Sequence, residues 1–191
     1  MSTMRRVRWL AVCAAMGLTA CALIRAPQAL TTLQLQLTDA AGSWPEQIEP
    51  KVTRASAALQ STRVLVFDGA LLMQHGGLRW VDAPAKMLDE QLRLLRYAHA
   101  GNDIKTVASV ELWLTQFNIR IAGAGDKSVE VAALAELQCA VDASLHRMPL
   151  ALASVALAGE DAAAVAAAFA AASDQVIAVI GSAAAKQARC V

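Results

Sequence analysis

Two runs of alternating residues joined by a glycine turn constrain this chain more than any other feature. From Val107 to Ile121 the residues alternate with period two: Trp113, Phe117, Ile119 and Ile121 fall on one face, Val110, Leu112 and Leu114 on the other, because successive side chains of a strand point to opposite sides. The second face turns polar at Gln116, Asn118 and Arg120, so the pattern predicts a long strand whose first half is buried on both sides. Gly123-Ala124-Gly125-Asp126-Lys127 then turns into Val129–Asp142, where Val129, Val131, Ala133, Ala135, Leu137, Cys139 and Val141 alternate with Glu130, Ala132, Leu134, Glu136, Gln138 and Asp142. Similar length and matching pattern make this second run the antiparallel partner of the first. A chain with such a hairpin must build a sheet.

The flanking segments supply further strands and two helices. Thr31–Thr38 places Leu33, Leu35 and Leu37 opposite Gln34 and Gln36, a strand with one buried face. Residues 39–50 contain Gly42, Ser43, Pro45 and Pro50 and read as a loop, in which Trp44 either packs or binds. Val52–Leu59 reads as a weak strand and Thr62–Phe67 as a stronger one, followed by a turn at Asp68-Gly69 and a return through Ala70–Gln74. Leu88, Leu92 and Leu95 recur at helical spacing after Asp82, which suits an N-cap, and Pro84, which suits the first turn. Leu145–Leu157 reads as another strand, interrupted by Pro149 at an edge or bulge. Glu160–Lys186 is an Ala-rich helix with Val165, Phe169, Ala172, Val176 and Ile180 as its apolar stripe. The expected fold class is α+β: a mainly antiparallel sheet with two packed helices, in a single domain over residues 31–191.

The N-terminus reads as an address rather than part of that domain. Arg5, Arg6 and Arg8 precede an apolar stretch, Trp9–Thr19, that is too short to cross a ~30 Å hydrocarbon layer. It ends in Leu18-Thr19-Ala20-Cys21, which resembles the bacterial lipobox, where a peptidase cuts before a Cys already carrying a diacylglycerol thioether. On this reading residues 1–20 are a signal peptide, Cys21 becomes the lipid-bearing first residue with an N-acyl chain added, and residues 21–30 are a tether. Cys13 is the rival, but Val12 before it is branched and Arg8 is close. An ordinary signal peptide with a chance Cys, or a short buried helix, is the other alternative. Ala22, rather than Asp, follows Cys21, which points to the outer membrane and its periplasmic side. Several alkyl chains at ~0.8 kcal/mol per CH₂ make such an anchor stable.

The remaining residues offer little for catalysis. With 17 Lys and Arg against 16 Asp and Glu, the chain has no net field to recruit nucleic acid. His75, His99 and His146 lie in different elements without a partner at zinc spacing, so no metal site is expected. No nucleophile elbow or phosphate loop occurs. Asp89-Glu90 reads as a solvated helix face, since neighbouring helical residues point ~100° apart. Neither an active site nor a cofactor beyond the lipid on Cys21 is expected. Cys139 and Cys190 remain once Cys21 is lipidated; they either form a disulfide, closing a loop of about 50 residues and contributing ~2–4 kcal/mol, or stay as a small core residue and a free thiol.

A lipobox, a Leu-alternating first strand, Leu78-Arg79-Trp80-Val81-Asp82-Ala83-Pro84 leading into a helix, a long hairpin and a terminal Ala-rich helix follow one another in this chain. In that order, and in Arg79-Trp80 followed by Ala83-Pro84, the chain resembles the ABC-type transport auxiliary lipoproteins of the PqiC/YmbA type. The resemblance departs at the first strand, where a Tyr-x-Leu pattern is common in the family and Leu33-Gln34-Leu35 stands here. It implies a non-catalytic protein anchored in the outer membrane, partnered by an MCE-domain protein and its ABC permease, that supports transport of phospholipid or other hydrophobic cargo. It also implies self-association as a homo-oligomer. The alternative class is another small outer-membrane assembly lipoprotein, serving lipopolysaccharide or β-barrel assembly. Arg79, Trp80 and Pro84 then read in two ways, as a packed hinge or as a partner contact.

Overall fold

The computed structural model describes residues 29–38, 44–99, 105–123 and 125–188, residue 99 through its backbone alone. Its spine is the hairpin of β6 (Ala108–Ile121) and β7 (Lys127–Cys139), paired antiparallel from Ala108 opposite Cys139 to Ile121 opposite Lys127. Gly125, at φ +82°, closes the turn between them. Short strands cover both outer edges of this spine. Along β6 run β2 (Ile48–Pro50), β3 (Arg54–Ala55) and β4 (Arg63–Asp68), all parallel to it. Along β7 run β8 (Leu145–Arg147) and β9 (Ala151–Ala156), both antiparallel. β4 turns into β5 (Leu71–Trp80) through Gly69, whose φ of +56° suits the first central position of a two-residue hairpin loop. β1 (Thr31–Leu33) adds a parallel strand outside β5. The helices α1 (Pro84–His99) and α2 (Ala162–Gln187) complete a single α+β domain with a mixed, mostly antiparallel sheet.

One extra residue decides which way β6 faces. Leu114 pairs with Ala133 and Gln116 with Ala132, so Thr115 is a β-bulge. Its hydroxyl donates to the Ala132 carbonyl at 3.1 Å. Such an insertion reverses the alternation: Val110, Leu112 and Leu114 before it share the core with Phe117 and Ile119 after it, all nearly fully buried. The expected two-sided burial of the first half is therefore overturned. Ser109 and Glu111 are only half-buried and Trp113 is exposed on the opposite face. No bulge interrupts β7, whose odd-numbered residues from Val129 to Cys139 all face the core.

The first strand is shorter than its sequence pattern. Only Thr31–Leu33 pairs with β5, yet Leu33 and Leu35 are buried and Leu37 half-buried. Beyond Leu33 the chain leaves the sheet and becomes a strap between the helices. The Leu37 amide donates to Gln91 Oε1 of α1 at 3.3 Å. The Thr38 amide donates to both carboxylate oxygens of Asp174 on α2 at 3.2 Å, and its hydroxyl donates to Oδ2 at 2.5 Å. Alternating burial thus persists without a ladder, because the leucines fill the seam under the helices.

Other expectations need correction. The loop expected over 39–50 contains β2, and Trp44 there is buried, donating from Nε1 to the Ile48 carbonyl at 2.9 Å; residues 39–43 lie outside the described residues. Val52–Leu59 holds β3 and a 3-10 turn, Ala57–Gln60, in place of one strand. Leu145–Leu157 divides into β8 and β9, with Pro149, which cannot donate to a ladder, in the break. Asp82 sits one residue before the cap of α1: the Ala83 carbonyl accepts from the Lys86 and Met87 amides, while the Asp82 carboxylate accepts from the Ala83 amide at 2.8 Å and pairs with Lys86. Asp161 caps α2, accepting from the Ala164 amide at 2.9 Å, and all five residues of the expected α2 stripe are buried.

Two outcomes follow from these contacts. Asp174→Ala removes the carboxylate that accepts from both the amide and the hydroxyl of Thr38 and is expected to lower the free energy of unfolding by ~2–3 kcal/mol, read from urea denaturation. The Lys86 ammonium, ahead of the Ala83 amide, holds the Asp82 carboxyl below its ordinary value of 3.8. A depressed carboxyl stabilises the fold above its unfolded value and loses that contribution as pH falls through the folded one. The urea midpoints of wild type and Lys86→Ala should therefore differ at neutral pH and converge below about pH 3.8.

Candidate functional site

The motif residues are divided between core and surface. Trp80, the last residue of β5, is 1% exposed. Its ring meets Phe117 of β6 edge-on at 5.3 Å and Phe169 of α2 at 4.9 Å, and these two phenylalanines stack at 4.5 Å. Edge-to-face geometry of this kind adds ~0.5–1.5 kcal/mol per pair beyond area burial. The Trp80 amide donates to the Thr62 carbonyl at 2.7 Å, and the Val81 amide to the Leu33 carbonyl at 2.8 Å. The indole N–H has no partner among the described residues. Trp80 thus joins β1, β5, β6 and α2. Arg79 points away, exposed, with Nε donating to the Thr32 hydroxyl at 3.3 Å. Pro84 is buried at the first position of α1, where a missing N–H costs nothing.

A second constellation lies on the sheet face away from the helices, created by the Thr115 bulge. Trp113 stands directly across from Leu134. Two residues along β7 from Leu134, on the same face, Ala132 pairs with Leu152 of β9. Trp113, Leu134 and Leu152 are 44%, 43% and 59% exposed, forming an apolar stripe. Ion pairs flank it: Arg54 with Glu111, Arg147 with Glu136 at 2.9 Å and Arg120 with Glu130 at 3.4 Å. The Arg54 guanidinium also lies 5.3 Å from the Trp113 ring centre, a cation–π arrangement. Beside Trp113, at the margin of this face where α1 begins, opens a largely apolar groove of about 660 Å³, lined by Thr53, Ala55, Leu114 and Ala85 of α1 among others. The Thr53 hydroxyl on its wall is buried without a partner among the described residues. An apolar stripe with a charged rim is the composition of a contact surface.

The remaining expected residues are scattered. His75 lies in β5 with Nδ1 accepting from the Gly77 amide at 3.2 Å, near the Lys127–Glu160 pair. His146 lies in β8, its Nε2 3.2 Å from the Ser144 hydroxyl. Among the described residues, no three His, Cys, Asp or Glu side chains group as metal ligands. Asp89 pairs with Arg93 at 3.2 Å, and Glu90 is exposed. Cys139 is buried and disulfide-bonded; Cys190 and Cys21, with the signal peptide and most of the tether, lie outside the described residues. Sequence reasoning missed the Trp113 stripe because it assigned Trp113 to the face of Phe117. The signal that could have exposed it is Thr115-Gln116, a polar pair at the centre of the strand where unbroken alternation would have put one apolar residue.

No protein-family model and no curated protein sequence matches the chain. Solved structures do match. A protein of the DUF330 family from Xanthomonas campestris aligns over 83% of this chain and 99% of its own, with 19% identity and a TM-score of 0.64. An uncharacterised protein aligns over 82% and 99%, with 12% identity and a TM-score of 0.63. At such identities the likeness is one of fold: this chain has the fold of these proteins across nearly their whole length.

Opposite effects are expected at the two adjacent motif residues. Trp80→Ala should destabilise by ~3–5 kcal/mol, as for other large-to-small core changes. Arg79→Ala should stay within ~0.5 kcal/mol. Thermal and urea unfolding of the two variants check this.

Proposed function

We propose that this protein is a lipid-anchored envelope protein of the outer membrane, facing the periplasm, that serves an MCE-domain protein and its ABC permease as a non-catalytic docking component. Hydrophobic cargo, phospholipid foremost, is what such a system moves between the membranes. The sequence support is the lipobox-like Leu18-Thr19-Ala20-Cys21 and the resemblance to transport auxiliary lipoproteins. The structural observation that carries the docking reading is the stripe of Trp113, Leu134 and Leu152 on the helix-free face, with its rim of ion pairs. Half-exposed aromatic and aliphatic residues beside a groove are the usual anchors of a protein contact. The MCE-domain protein is the occupant this reading assigns to it.

The test is in-cell crosslinking of the native protein, affinity purification and mass spectrometry, with two variants. Recovery of an MCE-domain protein or its permease is expected. Cys21→Ala should reduce that recovery by releasing the chain from the membrane. Trp113→Ala should reduce it severalfold at a smaller cost in stability than Trp80→Ala, since Trp113 is 44% exposed and Trp80 1%. Recovery of only a β-barrel or another assembly factor would overturn the reading in favour of an assembly lipoprotein.

A further inference from the structure

The direction of β1 sets which end of the domain faces whatever holds its N-terminus. β1 runs parallel to β5, Thr31 beside Leu78 and Leu33 beside Trp80. The backbone before Thr31 therefore arrives from the side on which β5 begins, the tip of the β4–β5 hairpin. Thr32 is level with Arg79, Arg79 with Arg63, and Leu71 with Asp68, so the tip lies ~17 Å from Thr32 at ~3.4 Å per residue along β4. The stretch from Cys21 to Thr31 spans at most ~35 Å fully extended. The opposite end of the sheet, where Ala108 pairs with Cys139, is farther off and behind the direction of approach.

That hairpin tip is apolar. Leu71, Leu72 and Met73 follow one another at 65%, 51% and 42% exposure. They point to alternate faces, yet each keeps two fifths or more of its surface exposed. Between Val66 and Arg79 the only formal charge is Asp68. The neighbouring Lys127 and Arg120 are paired with Glu160 and Glu130. The tip therefore offers no cationic cluster to an anionic surface, and what it offers is aliphatic area to an uncharged one.

We propose that Leu71, Leu72 and Met73 form a second membrane contact, seated in the interfacial layer of the bilayer that holds the lipid anchor. This rests on the reading of Cys21 as the lipidated residue. The contact gives the domain an orientation: the hairpin tip faces the bilayer, and the end carrying β8 faces the aqueous space.

The experiment uses the full-length mature protein as bacteria produce it, reconstituted into phosphatidylcholine vesicles. An environment-sensitive fluorescent amino acid replaces Leu72 in one preparation and Leu145 of β8, the more exposed of the two at 65% against 51%, in another. Brominated phosphatidylcholine should quench the probe at position 72 severalfold more than the probe at 145, and replacing part of the lipid with phosphatidylglycerol should leave the ratio unchanged. Equal quenching at both positions, or stronger quenching at 145, overturns the proposal. Intact-mass measurement separates the two readings. An acylated chain with no preferential quenching at 72 overturns the tip contact and leaves the anchor standing. A chain without acyl mass overturns both.

Discussion

The bulge at Thr115 is the constraint on which the rest of this structure depends. A strand of fourteen residues that must serve one core along its whole length meets a mismatch between its two apolar runs, and one inserted residue removes it. Without the insertion, Phe117 and Ile119 would face away from Val110, Leu112 and Leu114. With it, Phe117 reaches Trp80 and Phe169, and one aromatic cluster ties two strands and a helix together. The same insertion turns Trp113 outward. The core and the exposed Trp113 stripe are consequences of a single backbone feature.

The long elements were legible in the sequence because their periods are sustained. The β6–β7 hairpin, α1 and α2 have enough repeats for alternation or a helical stripe to outweigh local noise. The stripe of α2 matches residue by residue, and the turn expected at Asp68-Gly69 falls one residue later, at Gly69-Ala70, because Asp68 still pairs with Leu71. Short elements were less legible. β2, β3 and β8 hold three residues or fewer, and such strands exist because β6 and β7 present open edges to them, which is tertiary information. The Thr31–Thr38 segment shows a different limit. Its alternating leucines announced one buried side correctly, but burial between helices and burial on a sheet give the same pattern, and only the Asp174 and Gln91 side chains, distant in sequence, distinguish them.

The candidate surface was the least legible part. Arg79, Trp80 and Pro84 drew attention as a motif, and the structure gives Trp80 a position in the core and Pro84 one at a helix start. The exposed aromatic that borders a groove is Trp113, a residue whose orientation no period-two reading could assign once a bulge intervened. A polar pair inside an otherwise alternating strand is therefore worth weighing as a change of face before both sides are counted as buried.

The strap between the helices has a mechanical consequence. Tension arriving at Thr31 along the axis of β1 meets the β1–β5 ladder lengthwise, so its hydrogen bonds bear the load together instead of opening in succession. Whatever passes that ladder reaches Thr38, fastened to Asp174 in the body of α2. The load path thus runs from the sheet margin into α2, so the anchorage of the N-terminal segment is shared between strand and helix.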